Sequence, residues 1–316
     1  NTKTPLPATR YQHAQSKLLD GTVLVTGGFV SGVASADVQS YDPVTDTWTT
    51  KAALPATRYY HAQSPLTDGS PLVTGGYVAG VLSNNVQAYS AATNLWTTKT
   101  AMSIVRYGHS QSSYNGQPIV NGGLTGTGST VSNRTEIFSD SANSWDLQPG
   151  YMPRTLWGQG QSSGVDFGNG YLNIFMTGGC RYSYPISIER YCYSWNPANQ
   201  VWTTRANLSS GLMFHAQSTL GDGTVLISGG DQQGYGSSIS KAYLYDPVTN
   251  TWGSYASLPS ALMWQKQSTL DDGSPLLTGG SGTSGGSAAV LKFVAAGDRP
   301  MPGRVDLLHY LAGDDY

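Results

Sequence analysis

The residues best suited to chemistry are histidines that recur at one position of a repeated stretch, Arg-Tyr-x-His-Ala-Gln-Ser. Aligned on its Gln-Ser end, that position reads His13, His61, His109, Gln159, His215 and Gln265. A set of imidazoles could ligate a metal ion or transfer protons near neutral pH. Glutamine makes the same neutral hydrogen bonds, but it is a poor metal ligand and no base. Because glutamine replaces histidine twice, we interpret the position as mainly structural.

Arginine occupies the position three residues earlier in half of the copies. That position reads Arg10, Arg58, Arg106, Leu156, Leu212 and Leu262, with Arg154 close by in the fourth copy. Charged residues are only 11% of the chain, so three arginines at one position are conspicuous. Arginine binds carboxylates through paired hydrogen bonds, which indicates a site for an anionic or polar ligand. The alternative is that these arginines pair with aspartate or with backbone carbonyls between repeats.

Two cysteines, Cys180 and Cys192, flank a loop rich in tyrosine and arginine. The loop contains Arg181, Tyr182, Tyr184, Glu189 and Arg190. No histidine stands at metal-ligand spacing from the cysteines, which argues against a zinc site. A Cys180–Cys192 disulfide bracing the loop is the preferred interpretation, and two buried free thiols are the alternative.

Composition excludes several classes of function. The chain has 316 residues, 17 Lys+Arg and 19 Asp+Glu, so a net charge of −2 provides no basic stripe for nucleic acid. No run approaches 18 apolar residues, so no membrane span is expected. With 39 glycines and 16 prolines, the composition is that of a turn-rich β protein. Scarce lysine and two glycosylation sequons, at Asn133 and Asn207, favour a secreted or extracellular protein.

An internal repeat organises the whole chain. Gly-Gly pairs begin at residues 27, 75, 122, 178, 229 and 279, at steps of 48, 47, 56, 51 and 50 residues. An aromatic residue follows each pair, at Tyr41, Tyr89, Phe138, Trp195, Tyr245 and Phe293. Seven residues later, five of the six copies have Trp48, Trp96, Trp145, Trp202 or Trp252. A period near 50 residues with this signature predicts repeated supersecondary units.

Each unit is predicted to contain four short strands. The first is the histidine stretch, written continuously in the second unit as residues 58–64. Asp-Gly or Asn-Gly follows in five units and predicts a type I′ hairpin, with positive φ at both central residues. The second strand is an apolar run such as residues 22–26, typical of a strand covered on both faces. The third strand ends at the aromatic residue that recurs in each copy, and the fourth strand contains the tryptophan.

This signature resembles the kelch repeat, and the resemblance covers essentially the whole chain. It implies an all-β, six-bladed kelch-type β-propeller with four antiparallel strands per blade. The blades would span about 1–48, 49–96, 97–145, 146–202, 203–252 and 253–296. The last unit lacks its tryptophan, so we expect the N-terminal segment to pair with it and close the ring. Residues 297–316 would form a C-terminal tail, with a short helix or strand at 305–311.

The kelch resemblance also implies where a ligand would bind. In kelch propellers that bind acidic peptides, the arginine position and the residues after the double glycine line one mouth of the channel. Here the latter are Phe29, Tyr77, Leu124, Cys180, Asp231 and Ser281, with Phe214 nearby. The candidate ligand-binding residues are Arg10, Arg58, Arg106, Tyr77, Trp157, Arg181, Tyr182, Asp231 and Trp264. Arginines and aromatic faces together suit a carbohydrate or another small polar ligand, and a protein partner is the further alternative.

A second, local resemblance concerns Tyr60 and His61. They match the Tyr-His pair that ligates copper in galactose oxidase-like copper-radical oxidases, which makes them the candidate catalytic residues. Those enzymes also use a tyrosine joined to a cysteine and a further histidine, and only His309 is spare here. No cofactor is therefore expected, with copper or calcium left as alternatives. The alternatives to simple ligand binding are an extracellular carbohydrate-active enzyme, which would be a lyase, a hydrolase or a copper-radical oxidase, and a protein-interaction module of a larger assembly.

Overall fold

The structure is a computed structural model that describes residues 1–126, 130–168, 170–182, 186–234 and 236–293. The predicted tail at 297–316, with its element at 305–311, lies outside these residues, as do Tyr184 and His309. The described part is all-β and contains no helix, and so none that could span a membrane.

Six antiparallel sheets follow one another along the chain. Sheet 1 is formed by Ala14–Lys17, Val23–Thr26, Val38–Asp42 and Thr47–Lys51. Sheet 2 is formed by Ala62–Pro65, Pro71–Thr74, Val86–Ser90 and Leu95–Lys99. Sheet 3 is formed by Ser110–Tyr114, Gln117–Asn121, Thr135–Ser139 and Ser144–Leu147. In each sheet the strands pair in chain order.

The remaining three sheets repeat this arrangement. Sheet 4 is formed by Gly160–Asp166, Leu172–Thr177, Cys192–Asn196 and Val201–Arg205. Sheet 5 is formed by Ala216–Thr219, Val225–Ser228, Ala242–Asp246 and Thr251–Tyr255. Sheet 6 is formed by Lys266–Thr269, Pro275–Thr278 and Val290–Lys292. The first strands of successive sheets are neighbours, and that of sheet 6 also contacts that of sheet 1.

Short two- or three-stranded β-ribbons, separate from the six sheets, lie at one end of the repeats. In the first repeat the ribbon is Arg10–Tyr11, Phe29–Val30 and Val33–Ala34, and in the second it is Arg58–Tyr59, Tyr77–Val78 and Val81–Leu82. Two-stranded ribbons occur at Cys180–Arg181 with Ser187–Ile188 and at Ser281–Gly282 with Gly285–Gly286. The continuous first strand predicted at 58–64 is therefore wrong, because the chain breaks between ribbon and sheet.

The N-terminal segment completes the last sheet, as the sequence predicts. Thr2 forms an antiparallel bridge with Leu291, and the Lys3 N–H donates to the Val290 carbonyl at 3.0 Å. Leu6 then joins a buried cluster that contains Val23 of sheet 1 and Leu276 of sheet 6. The first and last sheets thus share one apolar core.

The hairpin turns differ from the prediction in four of five places. Asn115 and Gly116 both have positive φ, 49° and 73°, which fits the predicted type I′ turn. In the Asp-Gly turns only the glycine has positive φ. At Asp20, the Leu18 N–H bonds to the Thr22 carbonyl and the Asp20 carboxylate accepts the Thr22 N–H at 2.9 Å. The extra residue makes these three-residue loops, stabilised by the aspartate side chain.

The double glycine and the tryptophan both connect segments that belong to adjacent sheets. A Cβ on Gly27 would lie 2.4 Å from the Arg58 carbonyl oxygen, so only glycine lets the next repeat approach. The neighbouring Gly28 N–H donates to that same oxygen at 2.7 Å. Farther out, the indole N–H of Trp96 donates to the Ala52 carbonyl at 2.8 Å, and Trp48, Trp145 and Trp252 make the equivalent bond.

Candidate functional site at the channel mouth

One residue in each repeat breaks the chain between ribbon and sheet, and all six have positive φ. They are Gln12, Tyr60, Gly108, Gly158, Phe214 and Trp264, with φ between 55° and 65°. Each backbone N–H donates to the carbonyl of the equivalent residue in the preceding repeat, at 2.8–3.1 Å for five of the bonds. The sixth bond, from Gln12 to Trp264 at 3.3 Å, returns from the first repeat to the last.

Immediately before this turn, each repeat pairs one residue with the residue after the double glycine. Tyr11 pairs with Phe29 and Tyr59 with Tyr77. Both pairs are stacked, with ring centroids 5.2 and 5.0 Å apart and planes within 9°. The equivalent bridges elsewhere are Tyr107–Leu124, Trp157–Cys180, Met213–Asp231 and Met263–Ser281.

Eight aromatic side chains at this end contact one another in a closed series, which we call the aromatic circle. In order they are Tyr11, Phe29, Tyr59, Tyr77, Tyr107, Trp157, Phe214 and Trp264, and Trp264 contacts Tyr11 again. Neighbouring ring centroids lie 4.7–6.2 Å apart. Tyr60 reaches across the circle to Tyr107 and Trp264. Six of the eight are partly exposed, whereas Trp157 and Phe214 are buried.

The three predicted arginines lie behind this surface, buried in the protein. The Arg58 guanidinium donates to the Gly75 and Asn85 carbonyls at 3.1 and 3.0 Å, and Arg10 makes the equivalent bonds. Arg106 bonds to the Gly122 carbonyl at 2.8 Å and forms a buried ion pair with Glu136. Burial lowers the pKa of Arg58 to about 10. Because this value is still well above neutral pH, the guanidinium remains protonated there.

The leucines at the arginine position are equally buried, so this position is interior in all six repeats. Leu156, Leu212 and Leu262 are each at most 3% exposed. These side chains bind backbone carbonyls, as in the alternative drawn from the sequence, but the carbonyls belong to the arginine's own repeat and not to a neighbouring one.

The histidine position has the inter-repeat role expected of it. His61 Nε2 is hydrogen-bonded to Thr26 Oγ1 of the preceding sheet at 2.9 Å. The other three histidines of the position bond to Thr278, Thr74 and Thr177. Gln159 and Gln265 substitute with amide bonds to the Asn121 and Ser228 carbonyls.

Two comparisons with known proteins bear on this architecture. The family model described as the kelch motif matches residues 18–55. The kelch resemblance is confirmed. A solved structure of YjhT, a kelch-type propeller, superposes with a TM-score of 0.75 at 18% identity, over 92% of this chain and 96% of that one. At this identity the likeness shows the fold alone, and a search of curated proteins found no match.

The other predicted ligand-binding residues lie at this end of the repeats in different environments. Asp231 is fully buried, and its carboxylate accepts the backbone N–H groups of Gln233, Gly234 and Gly236 within its own loop. In the fourth repeat, the Arg181 Nε donates to Glu189 at 2.6 Å, and Tyr182 is about half exposed. Of the predicted set, only Tyr77, Trp157 and Trp264 belong to the aromatic circle.

The predicted disulfide is absent, because the two cysteines lie in different layers of the fourth repeat, one in a ribbon and one in sheet 4. Cys180 is in the ribbon, packed with Trp157 and Met213, whereas Cys192 is in sheet 4, packed with Phe175. Both are buried free thiols, the second of the two alternatives. Burial raises the pKa of Cys192 to about 12 and that of Cys180 further, so both are protonated.

The Tyr60–His61 pair has no further metal ligands around it in the described residues. The His61 Nε2 is occupied by Thr26. No group of three or more His, Cys, Asp or Glu side chains that could hold a metal ion occurs in the described ranges. Within the described residues, the pair therefore lacks the rest of the ligand set that the copper-oxidase resemblance implies, and His309 lies outside them.

Sequence reasoning missed a lysine beneath the mouth. Two cavities lie along the first strands of the sheets, and Lys266 lines both. The upper cavity, nearer the aromatic circle, has a volume of about 40 Å³, and the lower one has a volume of about 100 Å³. The upper one is bounded by Tyr60, Phe214 and Trp264. Lys266 directly follows the histidine position, where the other repeats have Ala14, Ala62, Ser110, Gly160 and Ala216. The signal was therefore available, as a single charged residue among small ones.

Proposed function

We propose that this protein is a six-bladed kelch propeller, closed by its N-terminal segment, that binds carbohydrate on the aromatic circle. Closure is supported by the bond from Gln12 to Trp264 and by the core that Val23 shares with Leu276. We further propose that it acts outside the cell, where polysaccharide ligands occur.

The aromatic circle is the observation that carries the binding proposal. Sugars present flat C–H faces that stack on aromatic rings, and tyrosine adds a hydroxyl that can bond to sugar hydroxyls. Four circle members are tyrosines, and all four keep part of their surface in contact with solvent. A continuous, partly exposed aromatic surface of this kind is typical of a binding site.

The backbone at the mouth supports the same assignment. Tyr60, Phe214 and Trp264 have φ of 56–59°, a conformation that bulky residues rarely adopt. Such a residue costs about 1–3 kcal/mol, and glycine occupies the same position at Gly108 and Gly158 without that cost. Large aromatic side chains at a position that favours glycine point to a role outside folding.

Glycan-array binding followed by calorimetry tests the proposal. We expect Tyr59→Ala and Tyr77→Ala to weaken binding of the selected glycan about tenfold or more, because each removes a stacking ring. Tyr171→Ala is the matched control, since Tyr171 is exposed at the opposite end of the first hairpin of sheet 4. Unchanged affinity in both circle variants, or equal loss in the control, would refute binding at the mouth.

A further inference from the structure

Among the described residues, one lysine side chain lines the channel beneath the aromatic circle without a counter-charge. Lys266 lines both cavities and has no hydrogen-bond or ion-pair partner within the described part of the chain. Burial is the main cause that lowers the pKa of His13, His61, His109 and His215, and the positive charge of Lys266 contributes at all four. Its positive charge thus helps to lower the pKa of histidines in four different repeats.

The hydrogen-bond network fixes the tautomer of these histidines. Gln63 donates its amide hydrogens to Ser16 Oγ and the Leu24 carbonyl, so its Oε1 accepts from Thr26 Oγ1 at 2.7 Å. The hydroxyl has only one hydrogen, so Thr26 must accept from His61 Nε2–H at 2.9 Å. In the neutral ring, Nδ1 then carries a lone pair. The same pattern holds at the other three histidines.

The channel wall therefore presents a set of unused acceptors. The Nδ1 atoms of the four histidines and the Oε1 atoms of Gln159 and Gln265 are buried, with no partner among the described residues. All six side chains are at least nine-tenths buried and line the upper cavity. Gln12 Oε1 and Trp264 Nε1, at the same cavity, are also unpartnered. Buried acceptors of this kind require donors from water or a ligand.

We propose that the channel is a binding site for a small hydroxylated carboxylate. The carboxylate pairs with the Lys266 ammonium, and the hydroxyl donates to the acceptors of the histidine position. A cation that lines the channel without a partner selects a negative charge, and buried acceptors without donors select O–H groups. The upper cavity of about 40 Å³ has room for a few water-sized groups. The ligand is either a free acid or the acidic end of a sugar bound on the circle.

Calorimetric titration with glycolate, acetate and glycerol tests both recognition elements. We expect glycolate to bind at least fivefold more tightly than acetate, because it adds a hydroxyl donor, and glycerol not to bind measurably. Lys266→Ala should weaken glycolate binding at least tenfold. This variant restores the residue found at Ala14, Ala62 and Ala216, so we expect it to fold, and thermal unfolding checks this. Lys241→Ala, at an exposed lysine, is the matched control.

A second arm separates the two sources of the carboxylate and the two proposals. Tyr59→Ala should leave glycolate binding unchanged, since it alters the circle and not the channel. Glucuronate, a sugar acid, is titrated in the same way. If glucuronate binds and glycolate does not, and both Tyr59→Ala and Lys266→Ala weaken glucuronate binding, the carboxylate belongs to a sugar on the circle. If Lys266→Ala binds glycolate and glucuronate as tightly as the wild type, or neither acid binds the wild type, the channel site is wrong. Neutral-sugar binding that survives Lys266→Ala leaves the proposed function intact.

Discussion

The backbone N–H of Gln12 donates to the carbonyl oxygen of Trp264, 252 positions away in the sequence, at 3.3 Å. The other five bonds of the series join residues of consecutive repeats, so within this series only the Gln12 bond links the beginning of the described chain to its last repeat. It is supported farther out by Thr2, which pairs with Leu291. Stability should therefore depend on the N-terminal segment more than on any exposed turn.

Leu6→Ala tests this dependence. Leu6 is 4% exposed in the core shared by the first and last sheets, so we expect the free energy of unfolding to fall by about 2–4 kcal/mol. Val44→Ala, at a residue 91% exposed in an outer turn, should change it by less than about 0.5 kcal/mol. Urea denaturation measures both, and equal effects would show that the segment adds little to stability.

The buried arginines give a second prediction, from the difference between two of them. Arg106 neutralises Glu136, so Arg106→Leu leaves a buried carboxylate unpaired and should cost about 3–5 kcal/mol. Arg58 bonds only to carbonyls, and leucine already occupies its position in three repeats, so Arg58→Leu should cost less. Double substitution of Arg106→Leu with Glu136→Leu should recover part of the loss. Equal destabilisation by the two single variants would contradict the assigned roles.

Much of the scaffold was predictable from the sequence, because the repeat displays it six times. The double glycine, the tryptophan seven residues after the aromatic, and the pairing of residue 2 with the last sheet all follow from comparing copies. The turn chemistry did not follow completely. An Asp-Gly dipeptide suits either a two-residue or a three-residue loop, and the position of Thr22 relative to Leu18 decides between them.

Less of the candidate site could be predicted, because position in a repeat does not reveal which way a side chain points. Arg58 and Tyr59 are adjacent in one ribbon strand, where successive side chains face opposite sides. The arginine points inward and is 2% exposed, whereas the tyrosine joins the aromatic circle. The sequence prediction chose the charged residue as the ligand contact, whereas the proposed binding surface uses the tyrosine on the opposite face of the strand. Lys266 was overlooked because its neighbours Gln265 and Gln267 follow the repeat.

Acid sensitivity gives a third prediction. Burial holds the pKa of His61 well below 6.5 and lowers that of His215 to about 3, so these rings stay neutral in the native state. The unfolded chain binds protons below about pH 6.5 and the native state does not, so stability is lost as the pH falls. His61→Gln, which copies Gln159 and Gln265, should be close to wild type at pH 7.5 and relatively more stable at pH 4.5. Parallel stability curves for the two proteins would contradict this.

Lys266 gives the opposite dependence at higher pH. Burial lowers its pKa from 10.5 to about 8, so above pH 8 the unfolded chain keeps a proton that the native state has released. Stability contributed by this group therefore rises with pH between about 8 and 10. The facing histidines are neutral throughout that window, and the nearby Arg10 and Arg58 stay largely protonated until its upper end. Lys266→Ala should be more stable than wild type at pH 7, with the advantage shrinking by pH 9.5, whereas Lys241→Ala should show no such trend. An advantage that stays constant over this range would mean that the Lys266 ammonium is not held away from water in the channel.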